Sequence, residues 1–292
     1  MDLNNEWNFG YTGTFYLGSN KQPIRAIFDT GSANSWILSK QAVKDKSNAN
    51  SFSPFDPSTS ETFKANEPKK TVRITFGSGS LSGSFAHDQL TIGQAGLFGG
   101  NELHVENYNF GLVEQQAVFT GTFDAIVGMA YPSMAEESVT PFFDVLMQEG
   151  VLHDEDGNPS NMFAFYMSTN QSDQSELVFG GYNPDRILEG EEIVWHPVVD
   201  KLFWSIKLDD IKVGGESLHI CDRRDCWMTP DSGTSQLCMP DWAFNMWEQT
   251  EWGRSYPCDN FSALERPDLT FVINGVDYSL PAHHWNERTQ IS

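Results

Sequence analysis

Asp29 stands at the end of an apolar run in AIFDTGSANSWI, and Asp231 stands in MTPDSGTSQLCM. Aligned on the acid, both stretches read carboxylate, hydroxyl, glycine, hydroxyl: Asp29-Thr30-Gly31-Ser32 and Asp231-Ser232-Gly233-Thr234. A carboxylate driven into an apolar context needs a partner, and the duplication supplies a candidate. Two carboxyl groups held together cannot both ionise cheaply, so they share a proton. The ionised member then draws a proton from a water molecule while the protonated member donates to a carbonyl oxygen. Gly31 and Gly233 allow a tight turn in which backbone and carboxylate approach without a side chain between them. Thr30, Ser32, Ser232 and Thr234 carry hydroxyls suited to bonding the carboxylates or the opposing loop. Each triplet taken alone is also an ordinary Asp-Gly turn.

The elements that must position these residues are mostly strands. GTFYLG, IRAIFDTG, TVRITFGSG, SFAHDQLTIG, DAIVGMAY, MFAFYM, ELVFGG, FWSIKLDDIKVGG and LTFVING are short, rich in β-branched and aromatic residues, and mostly closed by Gly. Two helices are predicted. Thr140 to Glu149 has Pro just inside its start and Gly150 just past its end; Pro240 to Glu248 is the other. The polar stretch STNQSDQSE, Ser168 to Glu176, is the expected link between two lobes, 1–172 and 173–292. A length of 292 residues suits two cores rather than one. The expected class is all-β and bilobal, with few short helices.

The formal net charge of −22 disfavours nucleic acid or an anionic membrane as partner, and no apolar run is long enough to span a bilayer. Self-repulsion of that size eases as carboxylates protonate, which is compatible with work in an acidic compartment. Cysteines occur only at 221, 226, 238 and 258. The short interval CDRRDC favours a Cys221–Cys226 disulfide over zinc, which would need two further ligands at paired spacing. HDEDGNPSN lacks the third spaced carboxylate and closing Glu of a calcium loop and reads as a solvated turn, and His283 and His284 are adjacent rather than spaced for one metal. None of these spacings favours a metal site, and no cofactor motif is read in the chain. Two N-x-S triplets, at Asn170 and Asn260, agree with a secretory route; the opening MDLNNEW shows no basic-then-apolar leader.

Nearly end to end, the chain resembles the pepsin-like aspartic endopeptidases. FDTGSANSWI resembles the first active-site motif of that family, FDAIVGMAYPS the segment that backs it, TPFFDVLMQEGVL the following helix, and LTFVINGVDYSL a late strand pair. The resemblance implies a pseudo-two-fold axis relating two β lobes, a substrate cleft between them, catalytic Asp29 and Asp231, and a bound water as nucleophile. It implies peptide or protein substrates, a monomer made as a zymogen, and a secreted, lysosomal or vacuolar setting. The hairpin in VRITFGSGSLSG resembles the flap that closes over substrate, making Phe76, Gly77 and Ser78 substrate-contact candidates and Trp36 the flap's support. Phe76, Phe119 and Ile126 are candidates for an apolar subsite, with core packing the equal alternative for the last two.

Three features depart from the family. Phe76 occupies the flap position usually held by tyrosine, so a hydroxyl able to bond the Trp36 indole is lost and a looser flap with weaker turnover is expected. Pro230 precedes Asp231 and removes a ladder donor, placing the second motif at a sheet edge or slightly displaced. Nothing after Asp231 resembles DAIVG, and the family's partner for Cys258 would lie past Ser292, so an incomplete second lobe is expected, from either a fragment of a longer product or a divergent chain that is not fully active. These departures favour, as the alternative, a catalytically silent protein of the same fold that only binds peptides. A carbohydrate-binding β-sandwich would explain the composition but not the duplicated motif.

Overall fold

Alternation of apolar and polar side chains sets the first strands: in β2 (Tyr11–Leu17) and β3 (Gln22–Asp29) every second residue or so is buried. The structure, a computed structural model, describes residues 1–44, 48–76, 79–93, 102–116, 118–119, 121–253 and 266–285. Its chain forms two compact units, one of Met1–Ile193 with Asp231–Ser235, the other of Val194–Pro230 with Gln236–Ser292. As expected, strands predominate and helices are few and short.

The first unit holds an 11-stranded sheet. Besides β2 and β3 it contains β1 (Asp2–Asn5), β4 (Trp36–Leu38), β5 (Lys64–Ala65), β6 (Thr71–Phe76), β7 (Gly79–Ile92), β8 (Leu103–Gln116), β9 (Ala125–Gly128), β10 (Phe163–Tyr166) and β11 (Ser175–Phe179). The order β2-β3-β9-β4-β8-β7 is closed by a direct β2–β7 pairing, so six strands form a barrel without edges. All four residues of β9 are buried, as a strand flanked on both sides by β3 and β4 requires. Phe15, Phe28, Phe55, Phe110 and Phe142 fill the interior with Tyr108, all buried. Each such ring contributes roughly 1.5–3 kcal/mol by leaving water.

Helix α1 (Lys40–Val43) is a single turn, while α2 (Phe142–Gln148) packs four apolar residues inward. Pro141 caps the start of α2 and Gly150 leaves it at φ 63°, close to the sequence expectation. Ser168–Glu176 does not link the units. It turns between β10 and β11, which pair with Tyr166 opposite Glu176, and β11 then pairs with β1. Residues 173–193 therefore join the first unit, and β11 among them completes its sheet.

The second unit has two small sheets. One orders β12 (Val198–Asp200), β13 (Ser205–Leu208) and β16 (Cys226–Met228); the other orders β15 (Glu216–Ser217), β14 (Asp210–Val213), β17 (Leu269–Ile273) and β18 (Val276–Leu280). FWSIKLDDIKVGG thus yields two strands in different sheets. They separate at Asp209, whose carboxylate accepts from the Gly275 N–H at 2.9 Å and pairs with Lys207 at 3.0 Å. The β17–β18 hairpin is the expected late strand pair. Helix α3 (Asp241–Glu248) starts after Pro240 as predicted, and α4 (Ala282–Trp285) ends the described chain.

Candidate active site

Strand β3 delivers Asp29 at its last residue, opposite Gly128 of the parallel strand β9. The chain then turns sharply, and β9's continuation ties the turn down: the Met129 N–H donates to the Asp29 carbonyl and the Ala130 N–H to the Ser32 carbonyl, both at 2.9 Å. A methyl at Gly128 would come within 2.7 Å of the Asn34 nitrogen, so only glycine lets the two segments lie this close. Asn34 adds a second tie, its Oδ1 accepting from the Glu136 N–H at 2.7 Å. Neither the backbone donors of Met129 and Ala130 nor the role of Asn34 is visible in the sequence, because a generic N–H and one amide side chain carry no motif.

Asp231–Ser235 belongs to the first unit although the residues on either side do not. Its local hydrogen bonds repeat those of the first motif. The Gly31 N–H donates to Asp29 Oδ1 at 2.9 Å, and the Gly233 N–H to Asp231 Oδ1 at 2.8 Å. Ser32 Oγ donates to Asp29 Oδ2, and Thr234 Oγ1 to Asp231 Oδ2 at 2.7 Å. The remaining hydroxyls cross between the motifs. The Thr30 N–H donates to Ser232 Oγ at 3.0 Å, the Ser232 N–H returns to Thr30 Oγ1 at 2.9 Å, and Ser232 Oγ donates to the Phe28 carbonyl at 2.6 Å.

These bonds leave each carboxyl against the other motif's glycine. A methyl on Gly31 would stand 2.6 Å from Asp231 Cγ, and a methyl on Gly233 would stand 2.6 Å from Asp29 Cγ. The two acids are therefore packed together. Burial of Asp29, which is 8% exposed, pushes its carboxyl up to about 6; the Ser32 hydroxyl pulls it down, and the neighbouring Asp231 charge raises it further. A carboxyl so placed holds a proton into the weakly acidic range.

Pro230 follows β16, the edge strand of its sheet, which ends at Met228. Among the described residues Asp231–Ser235 lies in no strand, whereas Asp29 is braced by β9. The hydrogen-bond pattern around Asp231 is nonetheless that of Asp29.

Trp36 is 1% exposed, with its ring centre 5.5 Å from that of Phe85 and its face against Gly111. Phe119 and Ile126, at 5% and 7% exposed, share its apolar cluster, and Phe76 packs on the cluster's margin. Phe76, Phe119 and Ile126 are thus gathered in one cluster, in which Phe119 and Ile126 are packed as core side chains. Phe76 ends β6 opposite Gly79 of β7; Gly77 and Ser78 lie outside the described residues. Cys221 and Cys226 form the expected disulfide, Cys238 is exposed outside it, and Cys258 lies outside the described residues. In HDEDGNPSN the Asp154 carboxylate is spent on the N–H groups of Asp156 and Asn158 at 3.0 and 2.8 Å, which makes a turn.

Among the described residues no helix is long and apolar enough to cross a membrane, and no three His, Cys, Asp or Glu side chains are grouped to hold a metal. A model of the eukaryotic aspartyl protease family matches residues 10–291. Gastricsin of Callithrix jacchus is 34% identical over 282 residues, covering 93% of this chain and 67% of that protein. Pepsin A of Gallus gallus is 32% identical over 287 residues, covering 96% and 71%. Gastricsin of Homo sapiens is 34% identical over 282 residues, covering 93% and 67%. The paired motif, its bracing strand and these likenesses agree, and the chain belongs to the eukaryotic aspartyl protease family.

Proposed function

We propose that this protein is an endopeptidase in which Asp29 and Asp231 share one proton and activate water against a peptide carbonyl. The observation that carries the reading is the reciprocal contact in which each carboxyl sits where the other motif's glycine has no side chain. One carboxylate takes a proton from the water as it attacks, and the protonated partner donates to the carbonyl oxygen. In each carboxyl the backbone N–H of Gly31 or Gly233 holds one oxygen and the hydroxyl of Ser32 or Thr234 holds the other, so neither carboxyl has to reorganise during the reaction. No metal or cofactor takes part in this scheme.

The hairpin of β6 and β7 covers the bound peptide, with Gly77 and Ser78 as the contact candidates that the family resemblance implies, and Trp36 supports it through the cluster on which Phe76 packs. Phe119, Ile126 and Phe76 supply an apolar wall that favours bulky apolar side chains beside the cut. The high acidity of the chain directs it toward neutral or basic polypeptides and suits acidic conditions, and membership of the family supports a secretory route and a monomer made as a zymogen.

The reading is tested by incubating the protein with a basic protein at about pH 4, with and without a statine-type mimic of the tetrahedral intermediate. Cleavage blocked by the mimic is expected. Binding of the mimic without any cleavage would instead make the chain a silent peptide binder of the same fold.

A further inference from the structure

Asn170, Gln171 and Ser172 form an N-x-S triplet at the tip of the β10–β11 hairpin, away from the duplicated motif in sequence and not used by the proposed chemistry. The tip is exposed at Asn170 and is shaped by the triplet itself. Both the N–H and the hydroxyl of Ser172 donate to Asn170 Oδ1, at 3.0 and 2.8 Å, and the Asp173 N–H donates to the Asn170 carbonyl at 3.0 Å. The ends of the tip are fixed by Ser168, whose N–H donates to Ser175 Oγ at 2.9 Å, and by Asp173, which accepts from the Tyr166 hydroxyl at 2.6 Å and pairs with Arg186 at 3.2 Å.

This arrangement engages the side-chain carbonyl of the exposed Asn170 within the turn and, among the described residues, draws no hydrogen bond from its Nδ2. Two donors on Oδ1 draw density from the amide and make its N–H more acidic. The middle residue is Gln171, not the proline that would forbid the turn. A bulky solvated adduct at an exposed hairpin tip displaces no core side chain.

We propose that Asn170 is an acceptor site for an N-linked oligosaccharide. The donor is an oligosaccharide on a lipid diphosphate, delivered by a membrane-bound transferase. Nδ2 bonds to the anomeric carbon, the bond from that carbon to the diphosphate oxygen breaks, the lipid diphosphate leaves with the electron pair, and one Nδ2 proton passes to the transferase's base. No oxidation or reduction is involved. The Ser172 hydroxyl is the positioning group.

The test is translation of the full chain behind a cleavable secretory signal with microsomes, scoring only chains protected from added protease. Glycan removal by an amidase in ¹⁸O-water converts an occupied Asn170 to labelled Asp, read by mass spectrometry of the peptide that contains it. Labelled Asp is expected at 170 in the wild type and in Ser172→Thr, with loss in Ser172→Ala and Asn170→Gln, and unchanged peptide hydrolysis in Asn170→Gln. An unmodified Asn170 in protected wild-type chains, or full labelling in Ser172→Ala, overturns the proposal.

Discussion

Gly31 and Asp231 are in contact to the exclusion of any side chain: a methyl on Gly31 would stand 2.6 Å from Asp231 Cγ. The atoms it would meet are the end of a side chain, which can swing aside. Gly31→Ala should therefore leave the fold intact while pushing the two carboxyls apart. The expected loss in kcat is roughly 100-fold, the scale of a 1 Å misplacement, with a melting temperature close to wild type. Gly233→Ala should act alike from the other side, and an active Gly31→Ala enzyme would count against the pairing.

The raised Asp29 carboxyl gives a pH dependence. The Asp29 carboxyl is raised from 3.8 to about 6, chiefly by burial. Hydrolysis should fall as pH rises through about 6, when the shared proton is lost. Stability follows the same sign: the raised group favours the folded state fully below about 4, and that contribution is lost by about 6. Asp29→Asn should accordingly gain on the order of 2 kcal/mol over wild type in denaturant melts at neutral pH, and no gain at pH 3.

Ser232 accepts from the Thr30 N–H and donates to the Phe28 carbonyl. Ser232→Ala removes both bonds at a half-buried loop and leaves the Phe28 carbonyl without that donor, so a destabilisation of about 1–2 kcal/mol is expected in urea titration. Ser232→Thr retains the hydroxyl and should recover most of it. A silent alanine variant would mean that the crossed bonds do not hold the motifs together.

Phe76 packs on the cluster containing Trp36 but brings no hydroxyl. Phe76→Tyr should raise kcat by roughly 2–10-fold, the worth of one net hydrogen bond, by steadying the hairpin over substrate. Steady-state hydrolysis of one peptide by both proteins reads this, and an equal or lower rate argues against the flap role.

The sequence revealed the duplicated motif because four residue types recur in order, and it revealed α2 and α3 because proline marks their starts. Strand β8 escaped notice: LHVENYNFGLVEQQ turns Glu106, Asn107 and Glu114 outward, and these polar residues dilute the apolar face that Val105, Tyr108 and Phe110 present to the core. Ser168–Glu176 resembles a link for a similar reason, since a polar hairpin tip and an interdomain linker share one composition. Closure of the barrel through β2 and β7 depends on strands far apart in sequence, and local patterning carries no record of such a pairing.

The central claim is that Asp29 and Asp231 act together on one water. The most direct test is the rate of mimic-sensitive peptide hydrolysis by Asp29→Asn and by Asp231→Asn, measured separately on protein shown to be folded. Each should lose roughly 10²–10⁴-fold in kcat, since either change removes a proton donor or acceptor from the pair. Hydrolysis within a few-fold of wild type in either variant, still blocked by the mimic, would contradict it.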